Sequence, residues 1–144
     1  MDDAFNCRCA YLHLCGIAQA CALIALKRGE DVELATMAGM LHDLHTYKSG
    51  SHENHAVLGA KLAKEVLTEL QIASAEEMDM IYSAIHNHST KDGKFLSFDE
   101  VLIDADVMQH ALYNYSVPVK EHFKTRFKKI AIEFQLEIPA QTPH

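Results

Sequence analysis

Residues 37–55 read Met-Ala-Gly-Met-Leu-His-Asp-Leu-His-Thr-Tyr-Lys-Ser-Gly-Ser-His-Glu-Asn-His, and every other part of the chain is interpreted around them. An apolar helical segment ends in His42-Asp43, and three more histidines follow in a polar segment predicted to be a loop. Burying a His beside an Asp is costly unless a partner satisfies both side chains. A divalent metal does so, because it accepts a neutral imidazole nitrogen and an ionised carboxylate oxygen. The dipeptide therefore indicates a metal site if other helices supply further ligands.

Length and composition indicate a helical protein. The chain has 144 residues, which fits one domain spanning 1–144, and 49% of them are hydrophobic. Only 6 Gly and 3 Pro are present, so we predict an all-α single bundle of five to six helices. The net charge of −7 argues against general nucleic-acid binding and against a membrane surface. The longest apolar run, Ala20 to Leu26, is too short to span a bilayer.

The cysteines all lie near the beginning of the chain. They are Cys7, Cys9, Cys15 and Cys21, on or beside one predicted helix. Residues on one helix rarely meet disulfide geometry, and the opening Met-Asp-Asp has no basic segment typical of a secretory signal. We therefore expect reduced thiols and a cytoplasmic location. Because the spacing matches no common zinc pattern, small buried apolar residues are favoured over a Cys-rich zinc site.

Apolar residues at helical spacing predict six helices. They span 5–28, 32–43, 55–70, the segment from Ser74 to about His86–Ser89, 97–115, and a last helix that begins at Pro118 or Val119. The first is predicted to be largely buried. Expected N-caps are Asp31, Ser51 or Asn54, Ser74 and Ser97, the last two in capping boxes. Five Lys and Arg residues on the last helix are predicted to form a solvated face, which is favoured over a binding patch because the chain is acidic.

Polar residues that are costly to bury recur within or at the ends of these helices. They are His13, His42, Asp43, His55, His88 and Asp106. Six of the ten histidines lie between positions 42 and 88. Histidines at the ends of core-facing helices are simply explained if they surround an ion.

Ordered motifs from about His13 to Met108 resemble the HD-domain superfamily of metal-dependent phosphohydrolases. The matching segments are Tyr-Leu-His-Leu-Cys-Gly-Ile-Ala around His13, Ala38–Asp43 (Ala-Gly-Met-Leu-His-Asp), His55–Ala60 (His-Ala-Val-Leu-Gly-Ala), Ile85–Ser89 (Ile-His-Asn-His-Ser) and Ala105-Asp106. Several matches in the same order are more specific than any one of them. Two features differ from relatives: Leu44-His45-Thr46 follows the His-Asp pair in place of Ile-Gly-Lys, and the Gly-Tyr-Pro motif of the cyclic-dinucleotide branch is missing.

The resemblance implies one divalent metal held by His13, His42, Asp43 and Asp106. Two His and two Asp side chains suit Mn, Fe, Ni, Co, Mg or Zn, and one or two ions are expected. Asp104 competes with Asp106 as the last ligand, and the Ala-Asp match favours Asp106.

Catalytic roles follow from the same comparison. The resemblance implies that His55 and His88 bind either a second metal or the substrate phosphate, and we favour the phosphate. Asp43 or another carboxylate nearby is expected to accept a proton from a metal-activated water. Protonated His55 or His88, together with Lys91, would offset charge on the phosphoryl oxygens.

The remaining histidines are assigned mostly to solvent. His45 and His52 are expected in a flexible loop, though either could close over the site, and His86 is expected not to be a ligand. Surface positions are predicted for His110, His122 and His144.

The sequence and its resemblance to this superfamily predict metal-dependent hydrolysis of a small phosphate ester, either a phosphomonoester or a nucleotide-like molecule. The alternatives are an HD-type di-iron oxygenase with the same six ligands and a non-catalytic sensor that binds a ligand or metal. The expected partner is the small phosphorylated substrate, and a homo-oligomer is left open.

Overall fold

The computed structural model describes residues 3–113 and 115–138, and no strand is present among them. The helices are α1 (Asp3–Arg28), α2 (Val32–Leu41), α3 (Leu44–Ser49), α4 (His55–Leu70), α5 (Ala75–Asn87), α6 (Ser97–Tyr113) and α7 (Lys124–Glu133), with a 3₁₀ turn at Glu121–Phe123 before α7. The predicted all-α bundle is confirmed.

Two helix starts form as the sequence predicts. Asp31 accepts a hydrogen bond from the amide of Leu34 at 2.9 Å and thereby caps α2. At α5, the Glu77 amide donates to Ser74 Oγ at 3.2 Å and the Ser74 amide donates to the Glu77 carboxylate at 2.7 Å. This reciprocal pair is the predicted capping box.

Other local predictions differ from the structure. The segment predicted as a loop after Asp43 contains the short helix α3, which ends at Gly50 with φ 73°. Asn54 precedes α4 with φ 51° and without a side-chain capping bond. The capping box predicted at Ser97 is replaced by a different contact. Helix α6 begins at Ser97 itself, and the Glu100 carboxylate accepts a hydrogen bond from the Phe95 amide at 3.1 Å. The last α-helix begins later than predicted, after a 3₁₀ turn.

Helix α6 is the central element of the bundle. Every residue from 101 to 108 is buried, and the helix packs against α1, α2, α5 and α7. A helix surrounded in this way buries polar positions along with apolar ones. Asp104 and Asp106 are therefore both inside the protein, on different sides of α6.

Helix α1 is buried along one face only, which corrects the prediction of a largely buried helix. Ile17 and Ile24 are fully buried, whereas Leu12, Leu23 and Leu26 are exposed. The helix packs mainly on α2 and α6, which cover only one of its faces. By length and composition alone α1 could also cross a bilayer, with a mean hydropathy of 1.8 in its most apolar window. Core helices of soluble proteins also pass this test.

The cysteine prediction is corrected for the same reason. All four thiols are free, as expected, but only Cys21 is buried. Cys7, Cys9 and Cys15 are exposed. They are therefore not the small core residues that the sequence suggested.

Close backbone contacts at two glycines hold the helices that carry the site. A Cβ atom on Gly39 would lie 2.8 Å from the Cα atom of Ala18, so α2 lies directly against α1. A Cβ atom on Gly59 would lie 2.9 Å from the carbonyl oxygen of His42, so α4 lies against the end of α2. These contacts bring the beginning of α4 close to the His42-Asp43 dipeptide.

Candidate metal centre

Four histidines from different parts of the bundle converge on Asp43. The Nε2 atoms of His13 and His42 each lie 3.2 Å from Asp43 Oδ2. The Nε2 atoms of His88 and His55 lie 3.6 and 4.0 Å from Oδ1. His13 comes from the middle of α1, His42 follows α2, His55 begins α4, and His88 follows α5. The fold thus surrounds one carboxylate with imidazole nitrogens.

Three of these rings have their tautomer set by the backbone. Nδ1 of His42, His55 and His88 lies 2.7, 3.0 and 2.6 Å from the carbonyl oxygen three residues earlier. A carbonyl only accepts, so Nδ1 carries the hydrogen and the neutral ring presents the Nε2 lone pair to the site. Histidines that ligate metals are oriented in this way by a partner at the other nitrogen.

Two buried atoms at the centre lack hydrogen bonds. His42 Nε2 and Asp43 Oδ1 have no hydrogen-bond partner, and the His42 side chain is completely inaccessible to solvent. Such groups cost free energy when they are left unsatisfied. A divalent cation would accept electron pairs from both, and a mixed nitrogen and oxygen set suits a first-row metal. The residues therefore fit a metal.

Asp106 enters the same cluster from α6. One group of potential ligands contains His13, His42 and Asp106, and another contains His42, Asp43 and His88; within each group the ligand atoms lie within 4.8 Å of one another. His42 belongs to both groups. The structure thus brings together the four residues expected to hold one ion, with His88 and His55 beside them.

Asp104 lies on the other side of α6. Its Oδ2 accepts from Arg28 at 2.7 Å, and its Oδ1 accepts from Arg126 at 2.9 Å. Both oxygens are therefore engaged in ion pairs away from the histidines. This geometry favours Asp106 as the ligand on α6.

The electrostatics of the centre keep the carboxylates ionised. Burial alone would raise the pKa of Asp43, but His13, His42 and His88 hold it well below its ordinary value. Burial lowers the pKa of His55, and the neighbouring His88 lowers it further. For His13, burial opposes the charged form, yet the contact with Asp43 leaves the pKa raised overall. The cluster therefore favours the ionised form of Asp43 and the neutral form of His55.

Lys91 has a different environment from the one expected of a phosphate ligand. Its ammonium donates to Asp106 Oδ2 at 2.5 Å and to the carbonyl of His88 at 2.7 Å, and its side chain is only 8% exposed. The positive charge is thus already paired. Binding a phosphate through Lys91 would require these two contacts to break.

His110 and Gln109 belong to the site, although the sequence analysis did not place them there. His110 is exposed, as predicted, but its Nε2 lies 3.3 Å from Asp106 Oδ1. The Gln109 side chain lies near His13 and contributes to its raised pKa. His110 lies four residues after Asp106, a spacing that places two side chains on one helix face and could have identified it.

The other histidines are more peripheral. His45 lies on α3 with Nδ1 3.5 Å from Ser49 Oγ. His52 is exposed, and its ring centre lies 5.4 Å from that of His55. His86 is exposed and stacks on Tyr82. His122 is exposed, and His144 lies outside the described residues.

A cavity of about 330 Å³ leads to this centre. Its lining consists of Cys9, Leu12, His13, Asp43, Tyr47, His52, Gln109, His110 and Tyr113. No Lys or Arg is among these lining residues. Burial, with the nearby Asp43 and Cys9, raises the pKa of Tyr47 to about 12, so its hydroxyl is neutral at the entrance.

Comparisons with known proteins agree with this arrangement. The family model described as HD domain matches residues 10–118. The chain is 30% identical to ribonuclease Y of Lawsonia intracellularis over 130 residues, which is 85% of this chain and 23% of that protein. It is 35% identical over 79 residues to ribonuclease Y of Staphylococcus epidermidis strain RP62A, 53% of this chain and 13% of the relative.

A third relative matches a shorter segment. The chain is 43% identical over 58 residues to ribonuclease Y of Geotalea uraniireducens, which covers 38% of this chain and 11% of the relative. The chain thus spans less than a quarter of the length of these relatives. No solved structure matches the chain.

Proposed function

The chain belongs to the HD-domain superfamily of metal-dependent phosphohydrolases, and from this premise we propose that it hydrolyses a phosphate ester of a small molecule, using a metal-activated water. The observation that carries the proposal is the pair of buried, unpartnered atoms His42 Nε2 and Asp43 Oδ1, surrounded by further imidazole nitrogens. A phosphohydrolase centre needs such a set, directed at one point and preorganised by the fold.

The residues fit the reaction as follows. A divalent ion held by His13, His42, Asp43 and Asp106 would act as a Lewis acid and lower the pKa of a bound water. Asp43, which is kept ionised, supplies a carboxylate beside that water, but its lowered pKa makes it a weak acceptor for the proton, so another nearby carboxylate is the alternative base.

His55 and His88 support two alternative roles. As imidazolium groups, a state that the lowered pKa of His55 opposes, they would stabilise negative charge on the phosphoryl oxygens. As neutral rings with Nε2 directed at Asp43 they would bind a second ion.

The cavity supports a small substrate. Its volume of about 330 Å³ lies at the lower end for ligand pockets. Since no Lys or Arg is among its lining residues, the metal and the histidines would balance the substrate's charge. We therefore favour a phosphomonoester or a nucleotide-like molecule with few phosphate groups.

A second candidate is hydrolysis of a phosphodiester bond in RNA. The observation that favours it is the similarity to proteins named ribonuclease Y in three bacterial species. The net charge of −7 opposes it, because RNA binding normally needs a basic surface. The metal centre is compatible with both substrates.

The activity is tested with purified full-length protein loaded in turn with Mn²⁺, Ni²⁺, Mg²⁺ and Zn²⁺. Phosphate release is measured for sugar phosphates and nucleotides, and cleavage is measured for a short single-stranded RNA. We expect turnover of small esters, and loss of it in Asp43→Asn. RNA cleavage alone would favour the second candidate. Metal binding without hydrolysis of any substrate would overturn the proposal and favour a sensor.

The oxygenase alternative has its own signature. It requires redox-active iron, visible by absorption or Mössbauer spectroscopy, and a product that forms only with oxygen. We also propose a cytoplasmic location, in keeping with the exposed free thiols.

A further inference from the structure

We propose that Arg126 is a positioning residue for the candidate metal centre and that it acts through Lys91. This inference rests on the metal-dependent function proposed above. The sequence pattern places Arg126 on a solvated basic face, whereas in the structure its side chain is only 12% exposed. Arg126 contacts the backbone of Lys91, and the Lys91 side chain contacts the candidate ligand Asp106.

Lys91 connects two elements that carry candidate ligands. Its ammonium bonds to the Asp106 carboxylate on α6 and to the carbonyl of His88, just after α5. These bonds tie the position of His88 to that of Asp106. They also occupy Asp106 Oδ2 and thereby restrict how the carboxylate can rotate.

Arg126 holds the backbone of Lys91 in place. Its Nε donates to the Lys91 carbonyl at 2.8 Å, and Nη2 lies 3.5 Å from the Gly93 carbonyl. Its Nη1 donates to Asp104 at 2.9 Å and also pairs with Glu100. The planar guanidinium thus fastens the connection between α5 and α6 onto α6 itself. Residues 89–96 are not helical, so side-chain contacts of this kind determine where Lys91 lies.

Arg28 provides a matched control. It donates to the other oxygen of Asp104 at 2.7 Å, and its remaining hydrogen bonds go to Glu133. Arg28→Met and Arg126→Met therefore each remove one cation and one ion pair to Asp104. Only Arg126→Met also releases the Lys91 carbonyl.

The direction in which the metal Kd changes shows whether Arg126 acts by positioning Lys91 or only by its charge. Removing a cation near a dication site would by itself strengthen metal binding, because repulsion decreases. We expect the opposite for Arg126→Met: Kd for Mn²⁺ should increase about tenfold, the scale seen when a group that supports a ligand is lost. Arg28→Met should leave Kd unchanged within about twofold, although both variants should lower Tm.

Calorimetric titration of Mn²⁺ into the purified chain measures Kd. The EPR signal of bound Mn²⁺ reports the geometry of the site, and circular dichroism verifies that each variant is folded.

The effect of Arg126→Met on Kd should nearly disappear when Lys91→Met is already present, because the two residues act in series. Arg126→Lys should weaken binding like Arg126→Met, since an ammonium lacks the fork that reaches both partners.

Three results would overturn the inference: unchanged Kd in both Arg126 variants, equal weakening by Arg28→Met, or an undiminished effect of Arg126→Met in the Lys91→Met background. Failure of the unmodified protein to bind any of Mn²⁺, Ni²⁺, Mg²⁺ or Zn²⁺ would instead overturn the proposed function, and the inference with it.

Discussion

Asp104 and Asp106 show how two like residues on one helix acquire different environments. They are about 200° apart around the helix axis. Asp104 faces Arg28 and Arg126, while Asp106 faces the histidines, Lys91 and His110. Burial alone would raise the pKa of Asp106, but the contacts with His110 and Lys91 hold it below its ordinary value. Asp106 therefore presents an ionised carboxylate to the site.

The first prediction separates these two residues. Asp106→Asn should lose metal binding and activity, because it removes an anionic ligand. Asp104→Asn should retain its metal and should mainly lower the urea midpoint of unfolding, because it weakens two ion pairs. Metal content by plasma mass spectrometry and urea titration give the two readouts. Loss of metal from Asp104→Asn alone would show that the assignment on α6 is reversed.

The second prediction concerns His55 and His88. If they bind a second ion, changing either to Ala should reduce bound metal from two equivalents to about one. If they bind phosphate, the metal content should hold and turnover should fall about 10²-fold, as for the loss of one charge-stabilising donor. His86→Ala is the control, because His86 is exposed and stacks on Tyr82. Unchanged metal and turnover in the double variant would assign both residues a structural role.

At the scale of elements, α7 is fastened to the bundle by charged contacts as well as by its apolar face. Phe127, Ile130 and Ala131 are buried, and Glu133 accepts two hydrogen bonds from Arg28 on α1 at 2.9 and 2.8 Å. The bonds from Arg28 lower the pKa of Glu133 below its ordinary value of 4.5. We therefore expect α7 to be held less strongly at low pH.

The third prediction follows from the sign of that shift. A carboxylate with a lowered pKa in the folded state stabilises it at neutral pH, and the contribution disappears as the pH falls below 4.5. Glu133→Gln should cost at most about 1 kcal/mol at pH 7, since the pair is partly exposed. Urea titrations between pH 7 and pH 3 should show that the difference in free energy of unfolding between Glu133→Gln and the unmodified protein decreases as the pH falls. Glu69→Gln, at an exposed position on α4, is the control for loss of one carboxylate. A difference between Glu133→Gln and the unmodified protein that stayed constant with pH would contradict the docking role.

At the scale of the whole molecule, the metal centre is also a structural junction. Its residues come from α1, the connection after α2, the beginning of α4, the end of α5 and the middle of α6. An ion bound there would hold most of the bundle together. Without it, the polar atoms of His42 and Asp43 remain buried and unpaired.

The fourth prediction is that metal stabilises the fold. A ligand that binds only the folded state adds about 2.7 kcal/mol when its concentration is 100 times Kd. Calorimetric Tm should therefore decrease after chelation and recover when Mn²⁺, Ni²⁺ or Zn²⁺ is added back. His42→Ala should melt at one temperature with or without metal. An unmodified protein whose melting ignored all of these ions would contradict the metal centre.

Local sequence patterns were enough to predict the helical class, the positions of most helices, the cap at Asp31 and the capping box at Ser74. These features depend on residues within a few positions of each other, where periodicity and capping chemistry act locally. Ordered motifs also identified the candidate ligands, because such residues keep their order along the chain even though the fold brings them together.

Contacts between side chains on different elements were not predictable from the sequence. Helix packing paired Lys91 with Asp106 and covered most of the Arg126 side chain, since these contacts depend on how α5, α6 and α7 pack. It also left one face of α1 and three cysteines exposed, because burial depends on which helices lie alongside and not on apolar content. Spacing along the chain carries no information about these distances, which packing of the helices sets.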